Sequence, residues 1–166
     1  METFKRKIWE KFKAWKEESD GHTALLVEGA RRIGKSTAVE EFAKKEYETY
    51  ILIDFAFASQ NIKNLFNDLS DLDHFFRMLQ YYTGKELIER KSLIIFDEVQ
   101  LFPLARQAIK LLVKDHRYDY METGSLLSIK ENVKDILIPS EERAIQMYPM
   151  DYEEFCSAIG QTNSFE

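Results

Sequence analysis

The chain contains a single cysteine, Cys156, so an internal disulfide is excluded and no zinc site can be built from thiolates alone. Prolines number three, and neither an internal repeat nor a low-complexity segment is present. Long apolar runs are missing too: none approaches the roughly 20 residues that a membrane span needs. There is no excess of positive charge. Lys and Arg total 23 against 29 Asp and Glu, a net charge of −6. That balance argues against a dedicated nucleic-acid domain, whose phosphate contacts leave a basic footprint, although it leaves a local basic patch open.

The 166 residues are 45% hydrophobic and 31% charged, enough apolar material for the core of one domain. Met1-Glu2-Thr3-Phe4-Lys5 leads into a charged amphipathic stretch rather than a signal peptide, so the cytoplasm is the expected compartment. Phe4, Ile8, Trp9, Phe12 and Trp15 recur at helical spacing up to a turn signal at Asp20-Gly21. Lysines 5, 7, 11, 13 and 16 are nearly cancelled by Glu2, Glu10, Glu17 and Glu18, which makes this a solvated helix face. Residues 1–20 are therefore read as an N-terminal amphipathic helix, and 21–166 as the main domain.

Short apolar runs at Ala24–Val27, Ile51–Phe55, Leu93–Phe96 and Ile145–Tyr148, with a weaker one at Tyr118–Glu122, read as buried strands. Helical patterns occupy Lys35–Lys45, Leu72–Tyr82, Leu104–Lys114 and Ser125–Lys130, and the polar Asn61–Asp73 holds a turn between two short helices. The alternation predicts a three-layer α/β fold with a five-stranded parallel sheet, order 5-1-4-3-2. Asp151–Phe155 resembles the start of a helix with no strand after it, so the chain is read as the front part of a longer protein.

Gly29-Ala30-Arg31-Arg32-Ile33-Gly34-Lys35-Ser36 matches the Walker A pattern at every fixed position, between an apolar strand and a helix. Glycines let consecutive N–H groups turn inward onto a phosphate, and the following helix adds its positive end. Lys35 is expected on the β- and γ-phosphates and the Ser36 hydroxyl on Mg²⁺. A second apolar strand ends in Asp97-Glu98. Asp97 is expected to hold the metal's hydration shell, and Glu98 to accept a proton from the attacking water. GTPase signatures are absent, since Asp97-Glu98-Val99-Gln100 is not Asp-x-x-Gly and Asn132-Val133-Lys134-Asp135 has the wrong order. ATP is the expected nucleotide. In the expected strand order the fourth strand lies between the other two, and a hydroxyl at its end, Thr123 or Ser125, can reach the γ-phosphate or the water. Asp54 is read as a strand end.

With these motifs, the chain resembles prokaryotic AAA+-like P-loop ATPases of the archaeal "AAA domain" type. The resemblance rests on Gly29 to Thr37, Phe96-Asp97-Glu98-Val99-Gln100, Thr123-Gly124-Ser125 and Arg143 to Phe155. It implies an ATPase core in which residues Gly29 to Thr37 cradle the nucleotide with Mg²⁺, and Thr123 or Ser125 acts as sensor. It also implies that Arg143 senses the γ-phosphate in its own or a neighbouring subunit, hence a homo-oligomer. Glu142 stands where the family has Gly, and Met150-Asp151-Tyr152 replaces Leu-Ser-Phe. Family members are longer, which implies a C-terminal domain or protein partner beyond this chain. The reading is a Mg²⁺-dependent ATPase acting as a switch or motor core for a partner. The alternatives are an ATP-binding module without turnover in isolation, or a small-molecule kinase. Trp9, Trp15, Phe75, Phe76, Tyr81 and Tyr82 are expected in packing, Cys156 as a buried thiol, and His22, His74 and His116 as too dispersed for a metal.

Overall fold

A computed structural model describes residues 7–30, 33–125, 140–149, 154–156 and 159. The sheet contains β1 (Ala24–Gly29), β2 (Thr49–Asp54), β3 (Ser92–Asp97), β4 (Asp119–Ser125) and β5 (Glu142–Gln146). All pairings are parallel, in the order β2-β3-β4-β1-β5. This is the order expected from the sequence, read from the other edge. Central strands read as unbroken apolar runs because both faces are covered.

On one face lie α1 (Ile8–Ser19) and α2 (Lys35–Glu46); on the other lie α4 (Leu72–Thr83) and α5 (Pro103–Asp115), with α3 (Gln60–Leu65) at their margin. Alternation along the strands separates two cores. Leu25, Val27, Leu93, Ile95 and Met121 face α1 and α2. Leu26, Ile51, Ile53, Ile94, Phe96 and Tyr120 face the other layer. α1 belongs to the first core: Trp9, Phe12 and Trp15 are buried there. The indole N–H of Trp9 donates to the Ala38 carbonyl, and that of Trp15 to the Thr23 carbonyl and hydroxyl. Among the described residues, no helix is long and apolar enough to cross a membrane.

Several boundaries differ from the sequence reading. The last strand spans Glu142–Gln146, not Ile145–Tyr148, because it pairs from Ala24↔Glu142 to Glu28↔Gln146. Glu142 reads as polar yet is buried, and Arg106 of α5 grips its carboxylate with both Nε and Nη2, the shortest contact being 2.6 Å. Ser125 closes β4 rather than opening a helix, and 126–130 lie outside the described residues. Residues 154–156 are helical, and 151–153 lie outside the described set. Tyr81 is exposed rather than packed, whereas Phe75 and Phe76 are buried.

Glu122 of β4 is buried beside the Arg106–Glu142 pair, and no donor reaches either of its oxygens. Burial, and then the negative charge of Glu142, push its carboxyl well above its ordinary value near 4.5. Burial and the neighbouring Glu142 charge thus favour the neutral form of Glu122, while Arg106 opposes the rise. A carboxyl raised in the folded state stabilises fully below the ordinary carboxylate range, and the contribution is lost as pH rises through the raised value. Glu122→Gln keeps a donor and removes the titration. The melting temperature of the parent protein should therefore fall relative to Glu122→Gln as pH rises above the ordinary carboxylate range. A pH-independent difference in thermal denaturation would refute the raised carboxyl.

Candidate functional site

Parallel pairing brings the C-terminal ends of β1, β3 and β4 to one edge of the sheet, where the loops after them converge. β1 ends in Gly29, whose position has no room for a side chain. A Cβ there would lie 2.5 Å from the backbone oxygen of Met147 and 2.8 Å from Ile33 Cδ1. Gly34 adopts φ 91°, the left-handed region that glycine enters without strain, and turns the chain into α2. The first turn of α2 contains no acidic residue, so its positive end is uncompensated from within the helix. Arg31 and Arg32 lie outside the described residues; Ala30 and Thr37 are exposed.

Lys35 is only 5% exposed. Its ammonium donates to the carbonyls of Gly29 at 3.1 Å and Ala30 at 2.7 Å, which holds the charge over the loop. Ser36, next along, donates its hydroxyl to Asp97 Oδ1 at 2.5 Å. Residues 61 positions apart are thereby joined at one carboxylate. Thr123, fully buried at the end of β4, donates to the same Oδ1 at 2.5 Å. Its oxygen in turn accepts the backbone N–H of Glu98 at 3.0 Å.

Burial pushes the Asp97 carboxyl upward, the hydroxyls of Ser36 and Thr123 pull it down, and Asp54 and Glu98 add to the rise. Asp54 stands opposite Asp97 in the β2–β3 register and uses one carboxylate oxygen on its own turn, at the Ala56 N–H. It ends its strand, as the sequence suggested. Glu98 has φ 58° and ψ 51°, a left-handed conformation that costs a non-glycine residue roughly 1–2 kcal/mol. The bond to Thr123 and the turn closed by the Leu101 N–H on the Glu98 carbonyl hold it there.

A family profile described as "AAA domain" matches residues 21–156. The chain belongs to that family. Comparison with curated proteins gives no match. Among solved structures, the Walker-type ATPase PABY2304 of Pyrococcus abyssi is similar with a TM-score of 0.51 and 16% identity, over 92% of this chain and 55% of that one. PCH-2 of C. elegans is similar over 86% of this chain and 41% of its own, at 12% identity and a TM-score of 0.44. The AAA-domain chain thus spans about half the length of the Pyrococcus protein, and at this identity the likeness carries the P-loop fold alone.

Of the residues expected at the site, the AAA-domain fold brings Gly29, Gly34, Lys35, Ser36, Asp97, Glu98 and Thr123 together. Ser125 is buried at the end of β4, paired in register with Gly29. Arg143 is not brought there. It pairs in register with Leu25, four residues before Gly29 and so about 13 Å back along the strand at ~3.3 Å per residue. Its guanidinium contacts Glu18 of α1 at 2.9 Å. Sequence separation also misled for His22 and His116, whose rings stack with centroids 4.7 Å apart at the opposite pole. Among the described residues, no group of three His, Cys, Asp or Glu could hold a metal ion.

Gln100 belongs to the Phe96-to-Gln100 run that carries the family resemblance, but the sequence reading gives it no role of its own. Two positions after Glu98, it donates its side-chain amide to Glu98 Oε2 at 2.5 Å.

Thr123→Val keeps the shape and removes the hydroxyl, which leaves the Glu98 N–H without its acceptor and Asp97 with one donor fewer. Urea denaturation should show a loss of about 1–3 kcal/mol, largely restored in Thr123→Ser. Equal stability of Thr123→Val and the parent would mean that the hydroxyl does not couple the strands.

Proposed function

We propose that the chain binds Mg²⁺-ATP at the Gly29–Thr37 loop and hydrolyses it to ADP and phosphate. The observation that carries this reading is the convergence of Ser36 and Thr123 on Asp97 beside Glu98, at the mouth of a glycine loop. The donor set fits a Mg²⁺-nucleotide: a hydroxyl and a carboxylate are hard oxygen ligands, and the loop glycine leaves backbone where a Cβ would clash. Ser36 would hold the metal directly and Asp97 through its water shell. Bound Mg²⁺ would neutralise charge on the β- and γ-phosphate oxygens.

The protein's own residues divide the remaining work. Lys35 exchanges loop carbonyls for phosphate oxygens. Loop N–H groups and the start of α2 orient the triphosphate. Glu98 accepts a proton from the water whose oxygen bonds to the γ-phosphorus, as the bond to the ADP oxygen breaks. A cavity of about 230 Å³ next to the loop, lined by Ile8, Lys11, Met147, Tyr148, Pro149 and Glu154 among others, offers the base an apolar floor and a rim carrying both signs of charge. Its Met147 is the residue whose carbonyl crowds Gly29.

The position of Arg143 favours a second reading, a nucleotide-binding unit that turns over slowly alone. In that case an arginine reaching the γ-phosphate comes from Arg31, Arg32 or another subunit, and the chain acts as the switch or motor core of a larger assembly.

Phosphate release and ATP affinity separate the two readings. Lys35→Ala should abolish ATP binding. Glu98→Gln should bind ATP as the parent does while its turnover falls about 10²- to 10⁴-fold. Specific activity that rises with protein concentration marks a site completed by a neighbour. Undetectable turnover in the parent at every concentration, with tight binding, would leave the binding unit as the correct account.

A further inference from the structure

Glu98 is useful as a base only if its carboxylate points at one place. Its backbone is pinned, as described above, but its side chain has rotatable bonds that the backbone does not fix. The carboxylate ends against the side-chain amide of Gln100, with Nε2 at 2.5 Å from Oε2. Gln100 is itself well anchored. It lies in the 3₁₀ turn Val99–Leu101, buried to 7% exposure, next to Val99, which packs fully in the core under α5. The Phe102 N–H closes the same turn on the Val99 carbonyl.

We infer that Gln100 is a positioning residue for Glu98: its buried amide fixes the direction of the carboxylate that accepts the proton. The inference rests on the reading of Glu98 as the base. Both partners belong to one short turn, so the contact forms locally and needs no distant movement. A restraint that held the base idle would need a second arrangement of this turn, and both ends of the turn are fixed by backbone hydrogen bonds. One oxygen of the carboxylate is engaged by the amide, and the other is left to take the proton.

Gln100→Ala removes the amide that holds the carboxylate. Gln100→Glu, nearly isosteric, places a second negative charge against the first.

The test is a double-mutant cycle on the full chain, read as kcat and ATP affinity. Gln100→Ala should lower kcat about tenfold or more at unchanged ATP affinity, and Gln100→Glu should do so more strongly. In the Glu98→Gln background the same changes should have no further effect on turnover, because the group they position is gone. A side chain that only packs would lower both backgrounds alike, and that outcome overturns the inference. So does a gain in kcat for Gln100→Ala. Full activity of Glu98→Gln would instead remove the base reading itself, which is a separate failure. A readout that needs no turnover comes from carbon NMR of the side-chain carboxyls at neutral pH, with the Glu98 signal assigned by its loss in Glu98→Gln. That signal should move in Gln100→Ala as the hydrogen bond is lost, and an unchanged signal overturns the inference. If the alanine variant does not fold, Gln100→Glu carries the same measurements.

Discussion

One carboxylate oxygen, Oδ1 of Asp97, receives two hydroxyl donors from different elements, Ser36 at the start of α2 and Thr123 at the end of β4. This convergence fixes the phosphate-loop helix relative to the central strands. It requires the parallel order in which β4 separates β3 from β1, since only then do a loop after β1 and a strand end of β4 both flank Asp97. The carboxylate is mostly buried, and burial alone favours its neutral form; the two hydroxyls act in the opposite direction. Burial prevails and the carboxyl lies above its ordinary range, while the two hydroxyls limit the rise.

Charge is buried on the α5 side of the sheet as well, and there it fastens the architecture. β5 is an edge strand with half-exposed positions, so apolar packing cannot hold it strongly. Arg106 of α5 reaches across the layer to Glu142 at the head of this strand, and Glu122 of β4 lies beside them. A buried ion pair of this kind contributes little net stability against an apolar substitute, but losing one partner is costly. Its effect is on register: Glu142 stays opposite Ala24, and Met147 then sits where its carbonyl approaches Gly29. A similar arrangement secures the pole around Asp119, which accepts the Tyr47 hydroxyl and an Arg90 N–H.

What could be read from the sequence was what local pattern encodes. The glycine loop, the apolar strands before Lys35 and Asp97, and the helical spacing of α4 and α5 are signals contained in short windows, and the sheet order follows from combining them. The rest depends on register and burial. Glu142 could not be recognised as strand interior because its partner Arg106 lies 36 residues away in the chain. Arg143 matched a motif by position, yet its distance from the loop is set by the β1–β5 pairing, which no window contains. Thr123 and Ser125 looked equivalent and share one face of β4; no short window contains the Asp97 and Glu98 partners of the Thr123 hydroxyl. Tyr81 followed helical spacing but falls on the solvent face of α4.

The two halves of the site differ in how firmly they are held. The end of β3 is over-determined: Asp97 by two hydroxyls, its carbonyl by the Phe55 N–H, and Glu98 by Thr123, Gln100 and the turn through Leu101. A left-handed glutamate persists only under such constraint. Lys35, by contrast, donates to carbonyls of the loop itself. Such bonds can be exchanged for phosphate oxygens without moving a strand. On the proposed reading, nucleotide binding should accordingly rearrange the loop and the Lys35 side chain while the carboxylates stay in place, their order being set on folding.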